Sequence, residues 1–234
     1  MAWKEVATLD YFSRGRFLFG IGAGWNTEET EIMRGHCAHR WTQTREAIEA
    51  MKALWAHEAA EYHGTYYDFP LVRSFPRLVQ QPHPPILLGG SAQQVFKRIV
   101  AYGNGWMPTR STPELIWQGR TILNELAVEA GRDPTSIAGL AYIAPTDRAV
   151  LQALAEAGAD AAVVRLEGES KAAALAELEQ IAQKVLRGRR RTESRQSSLQ
   201  PRTRCPPAGW ASAPLVCLAS CHPHALLGAR SQGR

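Results

Sequence analysis

The chain contains 234 residues, of which 45% are hydrophobic and 21% are charged. These values are typical of one or two globular domains with a buried core, and they exclude a chain that is disordered throughout. No run approaches the roughly 18 consecutive apolar residues of a transmembrane helix, and the first ten residues do not resemble a signal peptide. We therefore expect no membrane segment.

The net charge of +5 is unevenly distributed. Residues 187–234 contain nine arginines and one acidic residue, which gives them a charge of +8 and leaves −3 for residues 1–186. Residues 187–234 are also rich in Ser and Pro and lack a sustained hydrophobic period, so we predict a disordered basic tail. Trp210 is the only aromatic residue in this segment, which argues against a nucleic-acid-binding arm. The predicted domain is therefore 1–186.

The cysteines also separate the two segments, because only Cys37 of the four lies in residues 1–186. A single cysteine builds no disulfide framework, which favours a reducing, cytoplasmic setting. His36 and His39 flank Cys37, but no further partner stands at ligand spacing, so we predict no metal site.

Strand-like and helix-like hydrophobic patterns alternate along residues 1–186. The chain opens in a helix that ends at 13–15, and residues 61–85 form an aromatic, Pro-rich excursion. One later helix begins at Ser111-Thr112-Pro113-Glu114, where Ser111 and Glu114 have the spacing of a capping box. The predicted strands are 16–22, 85–88, 105–108, 137–143 and 161–166. This alternation predicts a parallel α/β fold with five βα units.

Two glycine-containing segments follow predicted strands. The segment 20–25 has Trp25 where a dinucleotide fingerprint requires its last glycine, so a Rossmann site is disfavoured. Its glycines either let a cofactor ring or another backbone approach closely, or they only allow tight packing at a strand end. Gly89-Gly90-Ser91 precedes a helix, where backbone N–H groups can bind an anion. It is the best phosphate-site candidate, although any tight βα turn also favours glycine.

Six segments of the chain, taken in order, carry a more specific signal. They are 4–10, 13–26 (SRGRFLFGIGAGWN), 45–55 (REAIEAMKALW), 62–64, 82–90 (PHPPILLGG) and 102–106 (YGNGW). Together they resemble the bacterial luciferase-like monooxygenase family, and within it the oxidoreductases that use the deazaflavin F420. The resemblance covers essentially all of residues 1–186.

The resemblance implies a TIM (β/α)8 barrel that binds its ligands at the carboxyl ends of the strands. Family members begin with three further βα units, so we expect an incomplete barrel of about five C-terminal βα units, either truncated or one fragment of a split gene. The tail is then expected to be a read-through or shifted-frame extension.

The resemblance also implies site residues, although it assigns no proton-transfer residue. The residues expected at the cofactor ring or its side chain are Gly24, Trp25 and Asn26. Those expected at the cofactor phosphate are Gly89, Gly90 and Ser91. The residues expected to line the substrate pocket are Trp106 and Thr109.

The implied activity is hydride transfer between F420 and a small organic substrate. Two alternatives stay open: an FMN-dependent monooxygenase and a non-catalytic fragment of such an enzyme. The expected partner is a small organic molecule, and a homodimer is compatible with this interpretation. Neither a membrane nor a nucleic acid is expected as a partner.

Overall fold

The computed structural model describes residues 2–33 and 35–186, and the tail predicted for 187–234 lies outside these residues. The helices are α1 (Ala2–Ser13), α2 (Thr27–Ile32), α3 (Arg40–Ala56), α4 (Gln93–Tyr102), α5 (Pro113–Glu129), α6 (Arg148–Glu156) and α7 (Lys171–Leu186). The strands are β1 (Phe19–Ile21), β2 (Ala59–His63), β3 (Asp68–Arg73), β4 (Ile86–Gly89), β5 (Gly105–Met107), β6 (Ala138–Ala141) and β7 (Ala161–Ala162). Short 3₁₀ turns lie at Cys37–His39 and Pro134–Ser136.

Five strands form one parallel sheet in the order β1-β4-β5-β6-β7. Each of these strands is followed in the chain by a helix, as expected for parallel strands joined by crossover connections. The five βα units predicted from the sequence are therefore confirmed. The strands are shorter than predicted, and β7 has only two residues.

The side chains of the sheet alternate between two buried layers. One layer, which we call the inner face, contains Leu18, Leu87, Ala138, Leu140 and Val163. The other layer, the helix face, packs against the helices and includes Ile86, Leu88, Trp106 and Ala141. Leu87 and Leu88 are each 0% exposed, so both faces of β4 are covered. Such two-sided burial is typical of the strands of an α/β barrel.

The excursion predicted for 61–85 contains ordered structure that the sequence pattern did not predict. β2 and β3 form an antiparallel hairpin with an irregularity between Ala60 and Tyr62. The buried Glu46 of α3 fixes its tip, because one carboxylate oxygen accepts hydrogen bonds from Tyr66 N and Tyr67 N at 2.6 and 2.8 Å. The hairpin is thus attached to α3, the helix that immediately precedes it in the chain.

Two predicted helix boundaries can be compared with the structure. α1 ends as predicted, because Arg14 and Gly15 have φ values of 56° and 75°, and Gly15 N donates to the Asp10 carbonyl. The cap of α5 differs from the prediction. Thr112, not Ser111, accepts from Leu115 N at 3.3 Å, while the Ser111 hydroxyl donates to the carbonyl of Tyr142.

Within residues 2–33 and 35–186, no helix is both long enough and apolar enough to cross a bilayer.

Candidate ligand-binding site

The predicted site segments meet at one edge of the sheet. Ile21 of β1 is paired with Leu88 of β4, and Gly89 of β4 is paired with Met107 of β5. Because paired strands lie about 4.8 Å apart, the segments that leave β1, β4 and β5 are immediate neighbours. The carboxyl ends of three adjacent strands thus bring together the positions that the sequence singled out.

The inner face at this edge is covered at Gly20 and open at Gly22. Gly20 alternates with the helix-face residues of β1, and the Met107 side chain packs against it, since a Cβ built on Gly20 would lie 3.1 Å from the Met107 Cε atom. At Gly22, no heavy atom of the described residues lies within 4 Å of a built Cβ. A planar group can therefore approach the backbone of β1 here without meeting a side chain.

Residues 24–26 leave the end of β1 in an open turn. Gly24 has a φ of 77°, a conformation that favours glycine, and Trp25 is 89% exposed. Asn26 caps α2, since its Oδ1 accepts from Glu28 N at 3.0 Å and from Glu29 N at 3.4 Å. Trp25 is therefore the residue of this turn with a free apolar surface, whereas the carbonyl group of Asn26 already has a structural role.

Gly89-Gly90-Ser91 forms the turn from β4 into α4. Gly90 has a φ of 119°, which side-chain-bearing residues rarely adopt, and Ser91 is exposed. The N-cap of α4 is Ala92, and within the described chain no side chain caps this helix end. The first N–H groups of this ten-residue helix thus have no side-chain acceptor among the described residues, an arrangement suited to an anion.

The structure places the two predicted pocket residues differently from each other. Thr109 lies exposed after β5, at the same edge as the other site segments. Trp106 is 2% exposed and packs on the helix face against Phe96, with ring centroids 5.2 Å apart. Its ring therefore does not face the opening, which corrects the expectation that Trp106 lines the substrate pocket. Trp106 instead donates its indole N–H to the Gly90 carbonyl at 2.7 Å.

A cavity of about 420 Å³ borders the turn at the end of β1. It lies between the helix face of β1 and α3, and Gly24, Trp25 and Asn26 are among its lining residues. Tyr67 at the hairpin tip also lines it. The lining does not include Gly89, Gly90 or Ser91. The cavity therefore borders only the first of the two predicted cofactor segments, residues 24–26.

Cys37 lies near this cavity, beside two groups that stabilise its thiolate. The Thr27 hydroxyl is 3.5 Å from Sγ, and Arg40 Nη1 donates to Sγ at 3.1 Å. The hydrogen bond with Thr27, followed by the hydrogen bond and charge of Arg40, holds the pKa of Cys37 below its ordinary value, against the opposing effects of burial and Glu31.

The lowered pKa of Cys37 leads to an expected pH dependence. The thiolate is the nucleophile, so alkylation of Cys37 should reach half its maximal rate at a lower pH than alkylation of an ordinary thiol. Thr27→Val should move this midpoint upward, because the largest stabilising contact is lost. Peptide-resolved mass spectrometry measures the rate at Cys37 alone. Thr121→Val, which removes a hydroxyl contact within α5, is the control, and an unchanged midpoint in Thr27→Val would contradict this account.

A second unusual position, Ile143, has no signal in the amino-acid sequence. It follows β6 with a φ of 50°, which is strained for a β-branched residue. Ile143 lines a cavity of about 520 Å³ together with Arg165 and Lys184, beyond the ends of β6 and β7. Isoleucine is not a residue that signals a left-handed conformation, so no sequence pattern could have identified this strain.

A five-stranded parallel sheet with helices in its crossover connections, and with glycine turns at the carboxyl ends of the strands, is the arrangement found within a (β/α)8 barrel. The sequence profile of the luciferase-like monooxygenases matches residues 1–216. This chain belongs to the luciferase-like monooxygenase family, so the predicted family is confirmed.

Individual relatives support the same assignment. An uncharacterized protein of Mycobacterium tuberculosis is 38% identical over 131 residues, which are 56% of this chain and 46% of that protein. The FMNH2-dependent dimethylsulfone monooxygenase of Pseudomonas putida is 33% identical over 96 residues, 40% of this chain and 26% of that enzyme.

One solved structure supports the fold in particular. The coenzyme F420-dependent tetrahydromethanopterin reductase of Methanopyrus kandleri has a TM-score of 0.50 and 22% identity, and the match covers 65% of this chain and 49% of that one. The chain thus spans less than half the length of these relatives. Both FMN-dependent and F420-dependent enzymes resemble it.

Proposed function

We propose that this chain belongs to an oxidoreductase that binds a phosphate-bearing deazaflavin or flavin and acts on a small organic molecule. F420 is the first candidate cofactor and FMN is the second. One juxtaposition carries the proposal: the exposed Trp25 and the open inner face at Gly22 lie one strand away from the Gly90 turn. A surface for a planar ring and a set of N–H donors for an anion are thus neighbours.

The described residues fit such a cofactor in two respects. A flat ring needs a surface without protruding side chains, and Gly22, directly after β1, provides this on the inner face. A phosphate needs several donors that are not already paired within a helix, and the uncapped start of α4 provides these beside the Ser91 hydroxyl. The positive end of the α4 dipole also favours a negative charge at this position.

The chain's own residues would bind and orient the reacting groups. When bound, the cofactor supplies the hydride or oxygen chemistry. Trp25 would stack on one side of the ring and exclude water from that side, since it offers a large rigid surface. Gly90 and Ser91 would fix the phosphate end and thereby the direction of the ring. Thr109, on the third strand end, would contact the substrate.

Fluorescence or absorbance titration of the 234-residue chain tests the proposal. F420 or FMN should bind at least about tenfold more tightly than the same ring system without phosphate, because hydrogen bonds to a charged group are strong. Trp25→Ala should weaken both ligands about tenfold, in line with the energy of aromatic stacking. Trp117→Ala is the matched control, because Trp117 is also exposed, at 60%, but lies on α5.

Two outcomes would oppose the proposal. A chain that binds neither ligand would support the alternative of a non-catalytic fragment. A chain whose affinity is unaffected by phosphate would contradict the assignment of residues 89–91.

A further inference from the structure

We propose that Trp106 is a positioning residue that holds the Gly90 turn in the conformation needed to bind the cofactor phosphate. This inference rests on the proposed function, because it assigns a support to the phosphate-binding turn. The family resemblance implies that Trp106 lines the substrate pocket, whereas in the structure its ring is buried on the helix face.

The contact between Trp106 and the turn is a short, partly buried hydrogen bond. The indole Nε1 donates to the Gly90 carbonyl at 2.7 Å, and the residue is 2% exposed. Trp106 is paired with Leu88 on the neighbouring strand. Its ring therefore extends to Gly90, which lies two residues after Leu88 and just beyond the end of β4. An indole has only this one polar group, and the bond therefore fixes the position of the Gly90 carbonyl relative to β5.

Two surrounding contacts hold the ring itself in place. Phe96 of α4 lies edge-on to it at 5.2 Å. Gly119 of α5 lies directly against it, since a built Cβ would be 2.1 Å from the ring atom Cη2. Glycine destabilises the middle of a helix relative to alanine, and the space taken by the indole explains why glycine stands at Gly119. The ring thus connects α4 and α5 to the turn.

The geometry of the turn makes such a support necessary. Gly90 has a φ of 119°. Because glycine has no side chain, its backbone has more alternative conformations than that of any other amino-acid type. The phosphate would be bound by N–H groups on the side of the peptide units opposite to the held carbonyl. Fixing the Gly90 carbonyl therefore sets the direction of the following N–H groups before the ligand arrives, which reduces the entropy lost on binding.

Trp106→Phe tests this role, because phenylalanine keeps an aromatic ring beside Phe96 but removes the N–H donor. The matched control is Trp55→Phe. Trp55 is 4% exposed and donates its indole N–H to the Trp3 carbonyl at 3.2 Å, so the control loses a comparable buried hydrogen bond outside the site. Both variants are expected to lower the melting temperature.

The readout is the ratio of affinities for a phosphorylated ligand and its phosphate-free ring system, FMN against riboflavin or F420 against its phosphate-free deazaflavin. Trp106→Phe should weaken the phosphorylated ligand about tenfold and leave the phosphate-free ligand unchanged, as expected for one hydrogen bond that supports a charged contact. Trp55→Phe should leave the ratio unchanged. Equal weakening of both ligands by Trp106→Phe, or no weakening, would overturn the positioning role.

A different result would contradict the proposed function itself. If the wild-type chain shows no preference for the phosphorylated ligand, the phosphate site is wrong and the role of Trp106 is lost with it. If Trp106→Phe does not fold, the wild-type chain provides the test. Hydrogen exchange of the Trp106 indole N–H should be slower with the phosphorylated ligand than with the phosphate-free one, and equal rates would overturn the proposal.

Discussion

Replacing Asp10 with alanine is expected to lower the free energy of unfolding by about 3 kcal/mol, because buried donors lose their acceptor. Asp10 is 0% exposed. Its Oδ2 accepts from Val79 N at 2.7 Å and from Gln80 N at 3.0 Å, and its Oδ1 accepts from Gln80 Nε2 at 2.7 Å. The carboxylate therefore joins α1 to the segment that leads into β4.

Urea denaturation measures this effect, and two variants define its origin. Asp10→Asn keeps the shape but turns an N–H₂ group toward donors, so it should lie between the wild type and alanine. Glu5→Ala removes an exposed carboxylate from the same helix and should change stability by less than about 0.5 kcal/mol. An Asp10→Ala variant as stable as Glu5→Ala would show that the network around Asp10 does not stabilise the fold.

Replacing Gly90 with alanine is expected to weaken binding of the phosphorylated cofactor about 100-fold, the equivalent of two hydrogen bonds to a charged group. A side chain at a φ of 119° is strained, and the built Cβ lies 3.3 Å from the Val95 Cγ2 atom. The turn would have to move, and with it the N–H groups proposed to bind phosphate.

Gly131→Ala separates this effect from a general loss of stability. Gly131 also has a positive φ, 67°, but it follows α5 and has open space around a built Cβ. Both alanine variants should lose about 1–2 kcal/mol of stability from backbone strain. Only Gly90→Ala should lose cofactor affinity. Equal affinities in the two variants, measured by the same titration, would refute the assignment of the turn.

Local chemistry made much of the fold predictable. The end of α1 follows from Gly15, because glycine readily adopts the left-handed conformation that terminates a helix. The order of the five βα units follows from the alternation of hydrophobic periods. The resemblance of 13–26 and 82–90 to one family supplied the candidate residues.

The face on which Trp106 lies could not be predicted. β5 has three residues, and a shift of one residue reverses the face of every side chain. So short a strand contains too few residues for an apolar and polar alternation to show which side chains face the helices. The hairpin of β2 and β3 could not be predicted for a similar reason. Most residues of β3 are exposed, so its sequence shows no alternation of buried and exposed positions.

Two other features were partly visible in the sequence. Asn26-Thr27-Glu28-Glu29 has a capping residue followed by acidic residues, which signals a helix start, and Asn26 does cap α2. Ser111 and Thr112 are both good caps, and the choice between them depends on the carbonyl of Tyr142, which binds the Ser111 hydroxyl. That carbonyl belongs to a strand end 31 residues away in the chain, so only the folded structure decides.

A crystal structure of the chain with the cofactor that binds more tightly, F420 or FMN, tests the central claim most directly. We expect the ring against the inner face at Gly22, with Trp25 beside it. We expect the phosphate at the N–H groups of residues 90–93, on the side of the turn opposite to the Gly90 carbonyl that Trp106 holds. A cofactor bound away from the ends of β1 and β4, or with its phosphate far from the start of α4, would contradict the proposed site.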